Sequence, residues 1–172
     1  MVGEIRDLET AEICVQAALT GHLVFSTVHT NDAPSAVTRL IDIGVPAYLI
    51  SSTLSVVVAQ RLIRRLCQQC REPYEPLPAV REQFRVDDLL YRAKGCEECG
   101  KTGYRGRVGV YEVLSLTREL QDLVAKSAPA HVLKDTAVKA GLVTLWQSGL
   151  RKVRAGLTSL EELASVVVLD QN

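Results

Sequence analysis

Four cysteines stand as two pairs, Cys67-x-x-Cys70 and Cys96-x-x-Cys99, with 25 residues between the pairs. Each pair can bend its backbone so that both thiolates face one ion, and four thiolates fill the tetrahedral shell of zinc. A shell completed by protein leaves no position for water, so the expected role of such an ion is structural rather than catalytic. Iron in the same thiolate cage, or redox-active dithiols, are the rival chemistries. Gly95 and Gly100 flank the second pair, where tight turns are needed. An ion here would close a loop of roughly thirty residues that has little apolar content of its own. The fifth cysteine, Cys14, falls on an apolar helical stretch and is expected to be a small buried hydrophobe.

A second group of reactive side chains lies near the start of the chain. Glu4, Asp7 and Glu9 follow the short apolar stretch Met1-Val2, and Ser26-Thr27-Val28-His29-Thr30-Asn31-Asp32 closes the β-forming run His22–Val28. If these two stretches are parallel neighbours, Glu4 and His29 share the carboxyl rim, where open α/β sheets bind ligands. A carboxylate there can hold a magnesium-bound water or act as base, and a histidine can reach a terminal phosphate. Spacing alone also allows a surface glutamate and a plain polar turn.

The elements that must position these groups can be read from periodicity. Leu8, Ala11, Val15, Ala18 and Leu19 have helical spacing, with Gly21 as the stop. His22–Val28 reads as a buried strand. Asp32 can cap a helix with Pro34 in its first turn, running to Ile43 and ended by Gly44. Pro46 opens another apolar stretch, helical at first and then strand over Val56–Leu66. From Cys67 to Arg107 Gly, Pro, Cys and charges dominate, with a short helix over Pro78–Phe84. Val108–Leu114 reads as a strand, and helices follow Thr117. Thr158-x-x-Glu161 fits a capping box for the last of them.

Apolar residues make up 47% and charged residues 23% of the 172, and 20 basic side chains balance 20 acidic ones. That is a globular profile with no bulk charge for nucleic acid or an anionic membrane. No apolar run reaches the roughly 18 residues that span a bilayer, and charges occupy the positions of a signal-peptide core. A cytosolic protein is expected, and in a reducing compartment paired CxxC motifs point to metal rather than disulfides. Arg61, Arg64, Arg65, Arg71, Lys94, Lys101, Arg105 and Arg107 cluster around the cysteines. Such clusters are usually solvated faces, and no aromatic run interleaves with this one, so no nucleic acid is expected.

Several stretches taken together resemble the type II secretion and type IV pilus assembly ATPases. Gly3-Glu4-Ile5-Arg6-Asp7-x-Glu9-Thr10-Ala11 resembles the Walker B segment of that family. Ala18-Leu19-Thr20-Gly21-His22-Leu23-Val24 with Ser26–Ala33 resembles its histidine box. Ala59-Gln60-Arg61-Leu62, the four cysteines and Tyr104-Arg105-Gly106-Arg107-x-Gly109-x-Tyr111-Glu112 continue the match over nearly the whole chain. The resemblance implies a hexameric RecA-like motor that hydrolyses Mg-ATP in the cytoplasm, peripheral to the inner membrane, and moves pilin-like subunits through a membrane platform protein. It makes Glu4 the carboxylate that orients the attacking water and His29 the sensor of the γ-phosphate. Arg6 and Asp7 match positions near the active site.

No G-x-x-x-x-G-K-[ST] phosphate loop occurs in these residues; Lys94-Gly95-Cys96 and Gly100-Lys101-Thr102-Gly103 lack its spacing. In the family that loop precedes Walker B, so the expectation is a C-terminal piece of the motor that does not bind ATP tightly alone. The expected fold is α/β: the later part of a RecA-like P-loop NTPase domain over 1–66, a four-cysteine zinc insert over 67–107, and a mostly helical subdomain over 108–172. An unprotected strand edge is expected to drive self-association. Removal of zinc is expected to unfold the middle of the chain and spare the helical end. Two other readings remain: a non-catalytic docking module for a platform or regulatory protein, and a zinc-bearing nucleic-acid binder.

Overall fold

A computed structural model describes residues 1–86 and 89–169. The chain divides into two compact units, neither of them one continuous stretch. The first comprises 1–59 and 112–143; the second comprises 60–111 and 144–172.

The first unit is mostly helical. Helix α1, Leu8–Leu19, starts at Asp7, whose carboxylate accepts the Thr10 N–H, and ends before Gly21 at φ 90°. Helix α2, Ala33–Ile43, starts at Asp32, which accepts the Ser35 N–H, carries Pro34 in its first turn, and ends on left-handed Gly44. Helix α3, Ala47–Thr53, follows Pro46 and leads into strand β1, Val56–Leu66. Helices α5, Arg118–Ala125, and α6, Ala130–Lys139, complete the unit. Its core gathers Ala11, Val37, Ile50, Leu114, Leu120, Val124 and Leu133, with α3 packed on α5 and α2 on α6.

The stretch expected as a buried strand over His22–Val28 differs. It is extended and hydrogen-bonded to the start of the chain, Val2 N–H to Phe25 O and Ile5 N–H to Thr27 O, both at 2.9 Å. These two bonds do not make a regular ladder, and no strand is formed there. Leu23 and Phe25 are 79% and 62% exposed, because no second neighbour covers them among the described residues.

The second unit holds strands β2, Glu72–Tyr74, and β3, Leu90–Arg92, paired antiparallel with Glu72 opposite Arg92. It also holds helix α4, Pro78–Phe84, a single 3-10 turn over Glu97–Cys99, and helices α7, Leu145–Arg154, and α8, Leu160–Val166. Strand β4, Tyr104–Ser115, pairs with β1. Ile63, Leu66, Val86, Leu90, Val110, Val153 and Leu163 are buried here, and Phe84 meets the Trp146 ring at 5.4 Å between centroids.

The start of α8 corrects one sequence expectation. Its N-cap is Ser159, whose hydroxyl accepts the Glu162 N–H, and not Thr158. Thr158 instead donates to the Arg64 carbonyl at 2.8 Å. The threonine is claimed by that carbonyl, while Glu162, 4% exposed, meets Arg64.

Candidate functional site

In the first unit, the two hydrogen bonds that join residues 2–5 to residues 25–27 set Glu4 beside His29. Glu4 Oε1 lies 3.2 Å from His29 Nε2, and Glu4 Oε2 lies 2.6 Å from the Arg6 guanidinium. Thr27 Oγ1 donates to the Gly3 carbonyl at 2.7 Å, which fixes the backbone next to Glu4. The Arg6 hydrogen bond holds the Glu4 carboxyl below its ordinary range against the opposing pull of burial, and the charges of Arg6 and His29 add to it. Glu4 is therefore an anion at neutral pH, able to accept but not donate a hydrogen bond. Its side chain is 20% exposed, while His29 and Arg6 are 85% and 77% exposed. The arrangement is a largely covered carboxylate behind two solvent-facing side chains, Arg6 and His29.

Three of the four residues expected at this site are thus brought together. Asp7 is not: its carboxylate turns to the Thr10 N–H at 2.8 Å and caps α1. Sequence reasoning missed Glu112, which is 1% exposed on β4 and accepts the Ala33 N–H at 2.8 Å. A glutamate at an inward-facing strand position was the available signal, since buried carboxylates require partners.

The cysteines form a separate cluster in the second unit. Their sulfurs all lie within 4.8 Å of one another, with Cys67–Cys96 at 3.9 Å and Cys70–Cys99 and Cys96–Cys99 at 3.8 Å. A disulfide would place two sulfurs about 2.05 Å apart, and all five cysteines are free. Four sulfurs about 2.3 Å from a central zinc would be separated by about 3.8 Å, so the donor set fits one tetrahedral ion. Cys99 Sγ accepts the Cys96 and Gly103 N–H groups at 3.2 Å each. Those amides, Cys96 foremost, bring its thiol down to about 6 against the opposing effect of burial. Burial, with the neighbouring sulfurs, pushes Cys70 up to about 12. Gly95 sits at φ 103°, where an added Cβ would meet the Lys101 carbonyl oxygen at 2.5 Å. Glycine is therefore required at that approach.

Five of the cations near this cluster have partners in the structure. Arg64 donates to Glu162 and lies 4.2 Å over the Tyr104 ring, and Arg71 donates to Gly156 O and lies 4.4 Å over Tyr91. Lys94 meets Glu72, Lys101 meets Glu97, and Arg105 meets Glu98. These pairs brace the unit and divide the cluster's charge among carboxylates. Cys14 is buried and its thiol is pushed up by that burial, while His131 is exposed.

Comparison with known proteins now decides the family. The model of the family described as "Type II/IV secretion system protein" matches residues 1–165. The chain belongs to that family. Within it, the chain is similar to the type II secretion system ATPase E of Vibrio cholerae, 51% identical over 96% of this chain and 34% of that protein. It is also similar to the type IV pilus assembly ATPase PilB of Myxococcus xanthus, 46% identical over 99% of this chain and 31% of that protein. The chain spans about a third of the length of these curated relatives.

Among solved structures, the pilus retraction motor PilT with bound ADP matches 95% of this chain and 38% of its own, with TM-score 0.64 and 25% identity. The ATPase DotB of Legionella pneumophila matches 96% of this chain and 37% of its own, with TM-score 0.65 and 22% identity. The fold is α/β, that of the later part of a RecA-like P-loop ATPase, with the four-cysteine cluster and a mostly helical end.

Proposed function

We propose that these residues form part of the hexameric, cytoplasmic motor ATPase that powers type II protein secretion or type IV pilus assembly, working against an inner-membrane platform protein. The observation that carries this reading is the 3.2 Å approach of Glu4 to His29. It joins a Walker B-like carboxylate to a histidine-box residue, as a site for hydrolysing a terminal phosphate would need. Glu4, ionised and held by Arg6, orients the attacking water and accepts its proton. His29, exposed beside Glu4, meets the γ-phosphate. Arg6 fixes the carboxylate's direction. Magnesium, when bound with ATP, supplies the charge that neutralises the phosphates.

The cysteines hold structural zinc, which no step of hydrolysis uses. No G-x-x-x-x-G-K-[ST] phosphate cradle occurs in this sequence, so the turnover test below supplies one from a relative.

The test is a chimera in which this chain replaces the matching third of the Vibrio cholerae relative. Magnesium-dependent ATP hydrolysis is expected, and Glu4→Gln should abolish it. Turnover indifferent to Glu4→Gln would overturn the assignment. The docking-module reading draws on one observation, that the cysteine cluster lies in a unit separate from Glu4 and His29. It gains the field if the chimera binds its platform partner but never hydrolyses ATP.

A further inference from the structure

Glu112 has no part in the site as read from the motifs, yet it is one of the most completely buried side chains of the protein. A carboxylate taken out of water costs several kcal/mol unless strong donors meet it, so its placement needs a reason. Among its partners is the N–H of Ala33, 2.8 Å away and 79 positions distant in sequence. Ala33 opens α2, and its amide is among the four at a helix start that the helix itself cannot satisfy. Asp32 already caps that start through Ser35, so a second carboxylate is more than local capping requires.

Following the chain back from Ala33 shows what this anchoring holds. Thr30 Oγ1 donates to the Asp32 carbonyl at 3.0 Å, and Lys134 lies 3.8 Å from the Asp32 carboxylate. Before them, Thr27 is tied to Gly3 and Ile5 on either side of Glu4. The stretch 27–33 is pinned at one end on the backbone flanking Glu4 and at the other on Glu112. His29 lies between the pins with its side chain 85% exposed, so its place over Glu4 is set by the two ends.

We propose that Glu112 is a positioning residue for the Glu4–His29 pair, holding the His29 loop by its grip on the first amide of α2. It acts through the loop and touches neither partner of the pair. This deepens the reading of Glu4 and His29 as the hydrolytic site and rests on it. The test is read without nucleotide, so its failure is separable from failure of the turnover experiment.

The experiment is NMR on the zinc-loaded chain, following the His29 ring resonances and the amide exchange of Ala33. Glu112→Ala should speed Ala33 exchange about tenfold or more, the loss expected when a charge-assisted buried hydrogen bond is removed. It should also move the His29 resonances to where Glu4→Gln puts them. Glu112→Gln keeps an acceptor and should leave His29 near its wild-type position. Val124→Ala, a core truncation in the same unit, serves as the control and should lower stability without moving His29. If Glu112→Ala does not fold, Glu112→Asp withdraws the carboxylate by one methylene and gives the same two readings. His29 resonances unchanged by loss of the carboxylate, or moved equally by Val124→Ala, would overturn the proposal and leave Glu112 a structural cap.

Discussion

Arg64 and Glu162 clasp each other twice: one Glu162 oxygen accepts the Arg64 backbone N–H at 2.8 Å and the other accepts its Nε at 2.7 Å. The pair joins β1 to α8, and the Tyr104 ring beneath the guanidinium closes one side. Burial raises the Glu162 carboxyl, but the hydrogen bonds and charge of Arg64 outweigh it, and the group stays below its ordinary range. A carboxyl lowered on folding contributes stability above its unfolded value of 4.5 and loses it as pH falls through the folded one. Glu162→Gln is therefore expected to cost about 2 kcal/mol near neutral pH, less than the roughly 3–5 kcal/mol of a fully buried pair. Arg64 remains 56% exposed and can recover water, which accounts for the discount. Denaturant unfolding at pH 7 and below pH 4 checks this: the variant's deficit should shrink on the acid side. An equal deficit at both pH values would place the effect in packing.

Gly149 lies on α7 where an added Cβ would come within 2.1 Å of Leu163 Cδ1, and Leu163 is fully buried on α8. Alanine would raise helix propensity by about 1 kcal/mol. Overpacking a filled core costs about 1–3 kcal/mol, and three Leu163 carbons crowd the position, so the second effect wins. Gly149→Ala should lower stability by about 1 kcal/mol in thermal unfolding. In a Leu163→Ala background, Gly149→Ala should cost clearly less than it does alone.

The sulfur geometry predicts one zinc per chain. Chelation should melt the whole second unit, including α7 and α8, while α5 and α6 in the first unit remain folded. This differs from the sequence expectation that the entire helical end survives, because the compact units divide that end after Val143. Hydrogen exchange before and after chelation reads the boundary directly. Cys67→Ser and Gly95→Ala should each weaken metal retention, the latter through the collision with Lys101. An unchanged exchange map after metal removal would show that the ion is not structural.

The exposed run through Leu23 and Phe25 predicts self-association at high concentration. Sedimentation of the isolated chain should show dimers or larger species at high micromolar concentration, shifted toward monomer by Phe25→Lys. Monomer alone under those conditions would count against an adhesive edge.

What the sequence made legible was local. Asp32, Gly21 and Gly44 mark helix ends by short-range chemistry, and the structure ends α1 and bounds α2 there, whereas Asp7, expected near the site, caps α1. Paired CxxC spacing likewise announces its cluster, because each pair is a turn that needs only itself. What stayed hidden depends on partners far along the chain. Glu112 looks like any strand residue until Ala33 arrives beside it, and Glu162 like any helix residue until Arg64 does. The cap of α8 moved from Thr158 to Ser159 for the same reason, since a distant carbonyl claimed the threonine. Leu23–Val28 carries strand propensity, but without a second neighbour among the described residues Leu23 and Phe25 stay in water.

The pairing of Glu4 with His29 is tested most directly by a double-mutant cycle on ATP turnover in the chimera with the Vibrio cholerae relative. Glu4→Gln alone should lower kcat by about 10²–10⁴-fold, the range of a lost general base. If the two residues act on one phosphate, adding His29→Ala to Glu4→Gln should cost clearly less than it costs alone. Strictly multiplicative losses, or a Glu4→Gln enzyme with full turnover, would contradict the account.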